Sequence, residues 1–210
     1  MNEEEFWKLN DEANIHFDII HRIGSLTLMI SLTESKLEEF SGNGQWYDKN
    51  DTRLANKHRM KEMGRMIGGY RQNIQELSII GLAKTIEDLL YDLKDKLDLN
   101  INFWKDCNEY NHYEEMKIIR SLNNCIKHNK GIICSESNSG KYLENIAGFE
   151  SGTIISSLQI DLEKYAMQCF LFQMDIFWKQ IEKENPYVGI KDKYDEIKKI
   201  LIPAFINLEI

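Results

Sequence analysis

The chain has 210 residues, with 26 Lys and Arg against 34 Asp and Glu, a formal charge of −8 and 42% hydrophobic residues. That length fits one domain, 1–210, with enough apolar material for a sizeable core. The acidic balance argues against a protein that coats nucleic acid over its whole surface, but leaves room for a local basic patch.

Two prolines and twelve glycines permit long helices. The apolar runs are neither β-branched-rich alternations nor bounded by Asn-Gly or Asp-Gly turns, so the expectation is all-α: an up-and-down helical bundle of about five to six helices. Cys107, Cys125, Cys134 and Cys169 form no CxxC pair and lie mostly in apolar-periodic segments, which points to reduced, buried thiols. The first residues, MNEEEFWKLND, lack a signal-peptide core, and Asp18, His21 and Arg22 interrupt the one long apolar stretch. A cytoplasmic protein without membrane contact is expected.

In chain order, Glu3 to about Phe40 reads as a long N-terminal helix with a stripe of Phe6, Leu9, Ala13, Phe17, Ile20, Ile23 and Ile30. Ser41 to Asp51 is turn-rich, with Trp46 and Tyr47 expected to pin the loop to the bundle. Asp51 or Thr52 can cap a second helix running to Gly68-Gly69 and continuing, kinked, to Ile80. On it Arg53, Lys57, Lys61 and Arg65 recur every four residues, a cationic ridge about 18 Å long. A solvated helix face and a phosphate contact both account for it. Gly81 precedes a further helix with Leu82, Ile86, Leu89, Leu90, Leu93 and Leu97 on one side. Asn100 to Asn111 is a connection or short helix holding Trp104 and Cys107.

The next helix carries the chemistry. In Met116 to Gly131, MKIIRSLNNCIKHNKG, the residues Ile118, Ile119, Leu122, Cys125 and Ile126 form an apolar arc. Arg120, Asn124 and His128 stand at i, i+4 and i+8 on the other side, with Asn123 and Lys127 beside them. Gly131 is a natural left-handed stop that puts His128 in the last turn, where the helix dipole favours an imidazolium. A polar loop from Ile133 to Gly152 with a short helix at Lys141 to Ile146 follows. A long helix from Thr153 is apolar almost all round between Phe170 and Trp178, so it is central or lies at a subunit interface. Asn185-Pro186 breaks it, and DKYDEIKKILIPAF closes the chain.

No phosphate-binding glycine loop, HExxH, nucleophile elbow or kinase signature is present. Asp18–His21 and Glu109–His112 each space a carboxylate and a histidine by three, a weak echo of a di-metal carboxylate bundle. That pattern uses glutamates in both pairs and two more besides, so no metal ligands are assigned and no cofactor is expected.

The segment Asn123-Asn124-Cys125-Ile126-Lys127-His128-Asn129, followed by Gly131 and two isoleucines, resembles the motif region of HEPN-domain proteins, an arginine followed after four to six residues by a histidine. The resemblance covers about 52–184, with its specific part near ten residues long. It implies a HEPN-like bundle, a homodimer whose two motif helices share a cleft, and metal-independent RNA cleavage in a toxin-antitoxin or phage-defence system, sometimes beside a nucleotidyltransferase-type antitoxin partner. Asn124 and His128 match the polar residue and histidine of that motif. The arginine position holds Asn123, which leaves Arg120 or Lys127 to supply a cation. Catalytic residues are then His128, Asn124, Lys127 and Arg120, and Arg53, Lys57, Lys61 and Arg65 are candidates for RNA binding. The departure at Asn123 equally suits a non-catalytic HEPN-like module that dimerises or binds a partner.

Overall fold

The computed structural model describes residues 3–42 and 47–184, and its described residues are all-α. Six α-helices follow in order: α1 (Glu3–Gly42), α2 (Arg53–Leu97), α3 (Phe103–Asp106), α4 (Tyr113–Asn129), α5 (Asn138–Asn145) and α6 (Leu162–Glu184). Single 3-10 turns stand at Cys107–Glu109 and Ile155–Ser157. The described residues contain no strand, only an isolated antiparallel bridge between Ile132 and Ile154.

In α1 the buried seam is Ile15, Ile19, Ile23 and Ile30, with Glu12 and Thr27 in it. Of the expected stripe, Ile23 and Ile30 are buried and Ile20 packs against the core, whereas Phe17 is 57% exposed. Thr27 takes an apolar position because its hydroxyl donates to the Ile23 carbonyl at 2.9 Å, which satisfies it inside the helix. The side chains of Phe6, Leu9 and Ala13 lie outside the described set, as does Trp46. Tyr47 is 56% exposed, so it does not anchor the loop by burial.

The two expected helices after Thr52 are one helix of 45 residues. Thr52 caps it, accepting from the Ala55 amide at 3.2 Å, and Asp98 ends it in the left-handed region, with the Leu99 amide on the Leu93 carbonyl at 3.0 Å. Glycine in a helix interior costs about 1 kcal/mol relative to Ala. Burial overrides that cost: Ile79, Leu82, Ala83, Ile86, Leu89 and Leu93 are all nearly inaccessible. Gly81 has a packing reason, since a Cβ there would lie 2.7 Å from Leu26 Cδ2. Gly64, Gly68 and Gly69 have none among the described residues, where a Cβ at each would meet nothing within 4 Å.

The antiparallel register, with Leu26 opposite Gly81 and Leu37 beside Ile74, brings the end of α1 to the level of Arg65 to Gly69. The first turns of α2 therefore run on past α1, accompanied by residues 47–52. There Asp48 and Asn56 exchange two hydrogen bonds of 2.8 Å, and Arg59 pairs with Asp51.

Helix α6 begins at Leu162, nine residues later than expected, because Asp161 accepts from the Lys164 amide at 2.9 Å and caps it there. It packs on α1, α2 and α4, and Phe170, Phe172, Met174, Ile176 and Phe177 are buried within this one chain. The apolar character of this segment is explained by centrality, which removes it as an argument for a subunit interface. Trp178 and the closing segment from Asn185 lie outside the described side chains. No helix among the described residues is long and apolar enough to cross a membrane.

Candidate functional site

Helix α4 has Glu114 and Glu115 in its first turn and Lys127 and His128 in its last, both favourable to the helix dipole. It leaves the helical region through Lys130 at φ 54° and Gly131 at φ 73°, and the Gly131 amide returns to the Cys125 carbonyl at 3.0 Å. The left-handed exit thus takes two residues rather than Gly131 alone. Beyond it, the Gly131 carbonyl accepts from the Ile155 amide at 2.8 Å, and Gln75 of α2 donates to the Ile155 carbonyl at 2.6 Å. The end of α4, the Ile155–Ser157 turn and the middle of α2 are thereby tied together.

The polar side of α4 meets the start of α5. The Asn124 amide donates to Ser139 Oγ at 3.1 Å, and Asn129 donates to Ser137 Oγ at 3.4 Å. Ser137 is also the cap of α5, accepting from the Gly140 amide at 3.0 Å and donating to the Cys134 carbonyl at 2.9 Å. Gly140 is required for this fit, because a Cβ there would fall 1.9 Å from the Cys134 carbonyl oxygen. Ser137 and Ser139 belong to the site and were not singled out from the sequence; a serine three residues before Gly140 in a polar stretch was the only signal.

The four expected catalytic residues do not converge within one chain. Lys127 and His128 are exposed side by side in the last turn, and Asn124 is half-buried beside α5. Arg120 lies eight residues before His128, about 12 Å along the axis. Its guanidinium carbon stands 4.5 Å from the Phe103 ring centroid and 5.6 Å from that of Trp104, and its Nη2 is 3.5 Å from Glu87. Burial lowers the pKa of this guanidinium, with Glu87 opposing. Arg120 is a packed cation joining α4 to α2 and α3.

Asn123 was expected beside the polar face and is instead 2% exposed. Its spacing explains this: it follows the buried Ile119 by four residues and Met116 by seven, on the same side of the helix. Its Oδ1 has no hydrogen-bond partner among the described residues. The position where the motif would place arginine thus points into the core.

Arg53, Lys57, Lys61 and Arg65 are all exposed, on the part of α2 that runs on past the end of α1, with Arg65 paired to Glu62 at 2.7 Å. The carboxylate–histidine pairs do not assemble. His112 sits in the left-handed region before α4 with its Nδ1 3.9 Å from Glu115, and the Glu109 carbonyl accepts from Lys179. Among the described residues no group of three His, Cys, Asp or Glu side chains is placed to hold a metal ion. All four cysteines are free; Cys107, Cys125 and Cys169 are buried and Cys134 is half-buried. Burial, with help from Asp106, pushes the Cys107 thiol up to about 12, and burial alone pushes Cys169 up to about 12.

No family model, curated protein or solved structure matches this chain.

Proposed function

We propose that this chain is a HEPN-like, metal-independent endoribonuclease that works as a homodimer, in the setting of a toxin-antitoxin or phage-defence system with a nucleotidyltransferase-type or other antitoxin partner. The observation that carries this reading is the exposed Lys127–His128 pair at the end of a helix whose opposite face is buried. In the reaction, one His128 takes the proton of the ribose 2′-hydroxyl as its oxygen attacks phosphorus. The His128 of the second copy gives a proton to the departing 5′-oxygen, leaving a 2′,3′-cyclic phosphate. Lys127 balances the charge that builds on the phosphorane. Asn124 and Asn129 are positioning residues, holding the end of α4 against Ser139 and Ser137. Arg120 is left to its packing role.

A second reading, a non-catalytic HEPN-like module that dimerises or binds a partner, is favoured by the inward-facing Asn123 and the engaged Arg120. One experiment separates the two. Purified protein in chelator is given labelled RNA under single-turnover conditions, beside His128→Ala. The first reading expects cyclic-phosphate ends and a loss of about 10²-fold or more in the variant. Equal cleavage by both removes His128 from the mechanism, and no cleavage by the parent protein supports the binding module.

A further inference from the structure

We infer that the α1–α2 arm is a track for single-stranded RNA, running from the end of α4 along the groove beside the Ile155–Ser157 turn and out over Lys61, Lys57 and Arg53. The inference rests on the RNA-directed reading above and extends it to the strand's path.

Three observations on the arm support it. The first is charge segregation. From Arg53 to Arg71 there are six Lys and Arg and a single carboxylate, Glu62, a net charge of five positive, so the rest of this acidic chain carries thirteen net negative. Arg53, Lys57 and Lys61 have no ion-pair partner among the described residues. They rise by about 6 Å per four-residue step, a spacing suited to successive phosphates of an extended strand.

The second is continuity. By helical spacing Lys57, Lys61, Gly64, Gly68, Gln72 and Gln75 share a face of α2. Gly68, Arg71, Gln72 and Gln75 line a groove of about 750 Å³, whose other side includes Ser156 and Ser157. Gln75 holds the Ile155 carbonyl, and Ile155 is bonded to Gly131 at the end of α4. From Glu76, beside Gly131, to Arg53 is about 35 Å along α2. Glu34 and Asp161 stand on the α1 and α6 sides of the groove, which leaves the Arg71 side for phosphates.

The third is the bare backbone. Gly64 and Gly68 lie on this same face with open space where a Cβ would be, so nothing among the described residues calls for glycine there. Glycine does allow a ligand to lie close against a helix. An anionic membrane is the weaker partner, because the exposed apolar residues of the arm do not form one face: Leu54 and Met60 flank the cations, whereas Met66, Tyr70 and Leu77 recur on the opposite side of α2, where Tyr70 opens onto a separate groove with Leu32 and Phe40. Lipid contact through that second set would turn the cations away.

The test uses the full chain carrying His128→Ala, so that RNA is bound and not cut, with labelled uridine oligonucleotides of increasing length and with vesicles containing phosphatidylserine. Affinity is expected to rise with length and level off within roughly 4–16 nucleotides. Four phosphate contacts give a log–log salt slope of about −3. Lys57→Glu with Lys61→Glu is expected to weaken binding at least tenfold and flatten the slope. Gly68→Ala is expected to weaken it several-fold while raising the Tm, a pairing that a purely structural glycine would not give. The inference is overturned if the charge reversal leaves affinity and slope unchanged, or if vesicles bind in an arm-dependent way and RNA does not. Its fate is separable from that of the cleavage reading. Arm-dependent RNA binding by a protein that never cleaves sustains the track alone; cleavage by the parent that the arm variants leave intact overturns the track alone.

Discussion

The single helix α2 passes through two environments. From Ser78 to Leu97 it contributes nine buried residues and is enclosed by α1, α4 and α6; from Arg53 to Leu77 only Asn56 and Ile67 are buried. The body half is apolar where it faces its neighbours, and the arm half is cationic and contains three unexplained glycines. Continuity across them follows from helix cooperativity: once the body half is nucleated by packing, each further residue adds a hydrogen bond while fixing only its own backbone, and the Thr52 cap closes the far end. The body therefore determines that a helix exists, and the arm is free to serve a surface role.

The contrast is broken most severely by truncating the same side chain in each half. Leu82→Ala removes a fully buried side chain from the core and is expected to cost about 2–5 kcal/mol. Leu54→Ala, at a position 78% exposed, is expected to stay within about 0.5 kcal/mol. Urea unfolding measures both. A large loss at Leu54 would show that the arm shares the cooperative core.

The same contrast explains what was legible in the sequence. The all-α class and the approximate places of α1 and α4 followed from periodicity, because packing in the body enforces it. The break expected at Gly81 failed, since local glycine preference is worth about 1 kcal/mol per residue and the buried Ile79 to Leu93 seam outweighs it. The start of α6 was misplaced because the apolar run was read back to Thr153, although Thr153 to Ile160 is rich in β-branched residues and serine and is held by long-range bonds to Gly131, Ile133 and Gln75. At the candidate site, His128 and Lys127 could be placed in the last turn from the Gly131 stop. The inward turn of Asn123 and the aromatic seat of Arg120 depend on which face α4 gives to α2 and α3, and spacing alone did not determine that for residues near the edge of the apolar arc.

Arg120 gives the next test in size. Arg120→Ala removes the stacking on Phe103 and Trp104 and leaves Glu87 without its partner, an expected loss of about 1–2 kcal/mol, discounted for the partial exposure of the pair. Arg53→Ala on the arm is expected to change stability by no more than about 0.5 kcal/mol. The two should exchange rank when RNA affinity is measured in place of stability. An Arg120 variant that keeps its Tm and loses RNA cleavage would return Arg120 to the reaction.

The smallest expected effect is a slope with pH, and it too divides body from arm, because all four cysteines lie outside Arg53–Leu77. Cys107 and Cys169 have folded-state pKa values raised from 9 to about 12 by burial. Each thiol stays neutral in the folded chain while its unfolded counterpart begins to ionise near pH 9. The stability they contribute is therefore complete below pH 9 and is lost progressively as pH rises from 9 toward 12, since the unfolded state then releases protons that the folded state retains. The interval from pH 9 to 10 is where this loss begins. Amide exchange over that interval, corrected for its intrinsic pH dependence, should show body helices α4 and α6 losing protection while Arg53–Leu77 changes little. Uniform loss across both halves would mean that arm and body open together, and that the division drawn from burial does not extend to their dynamics.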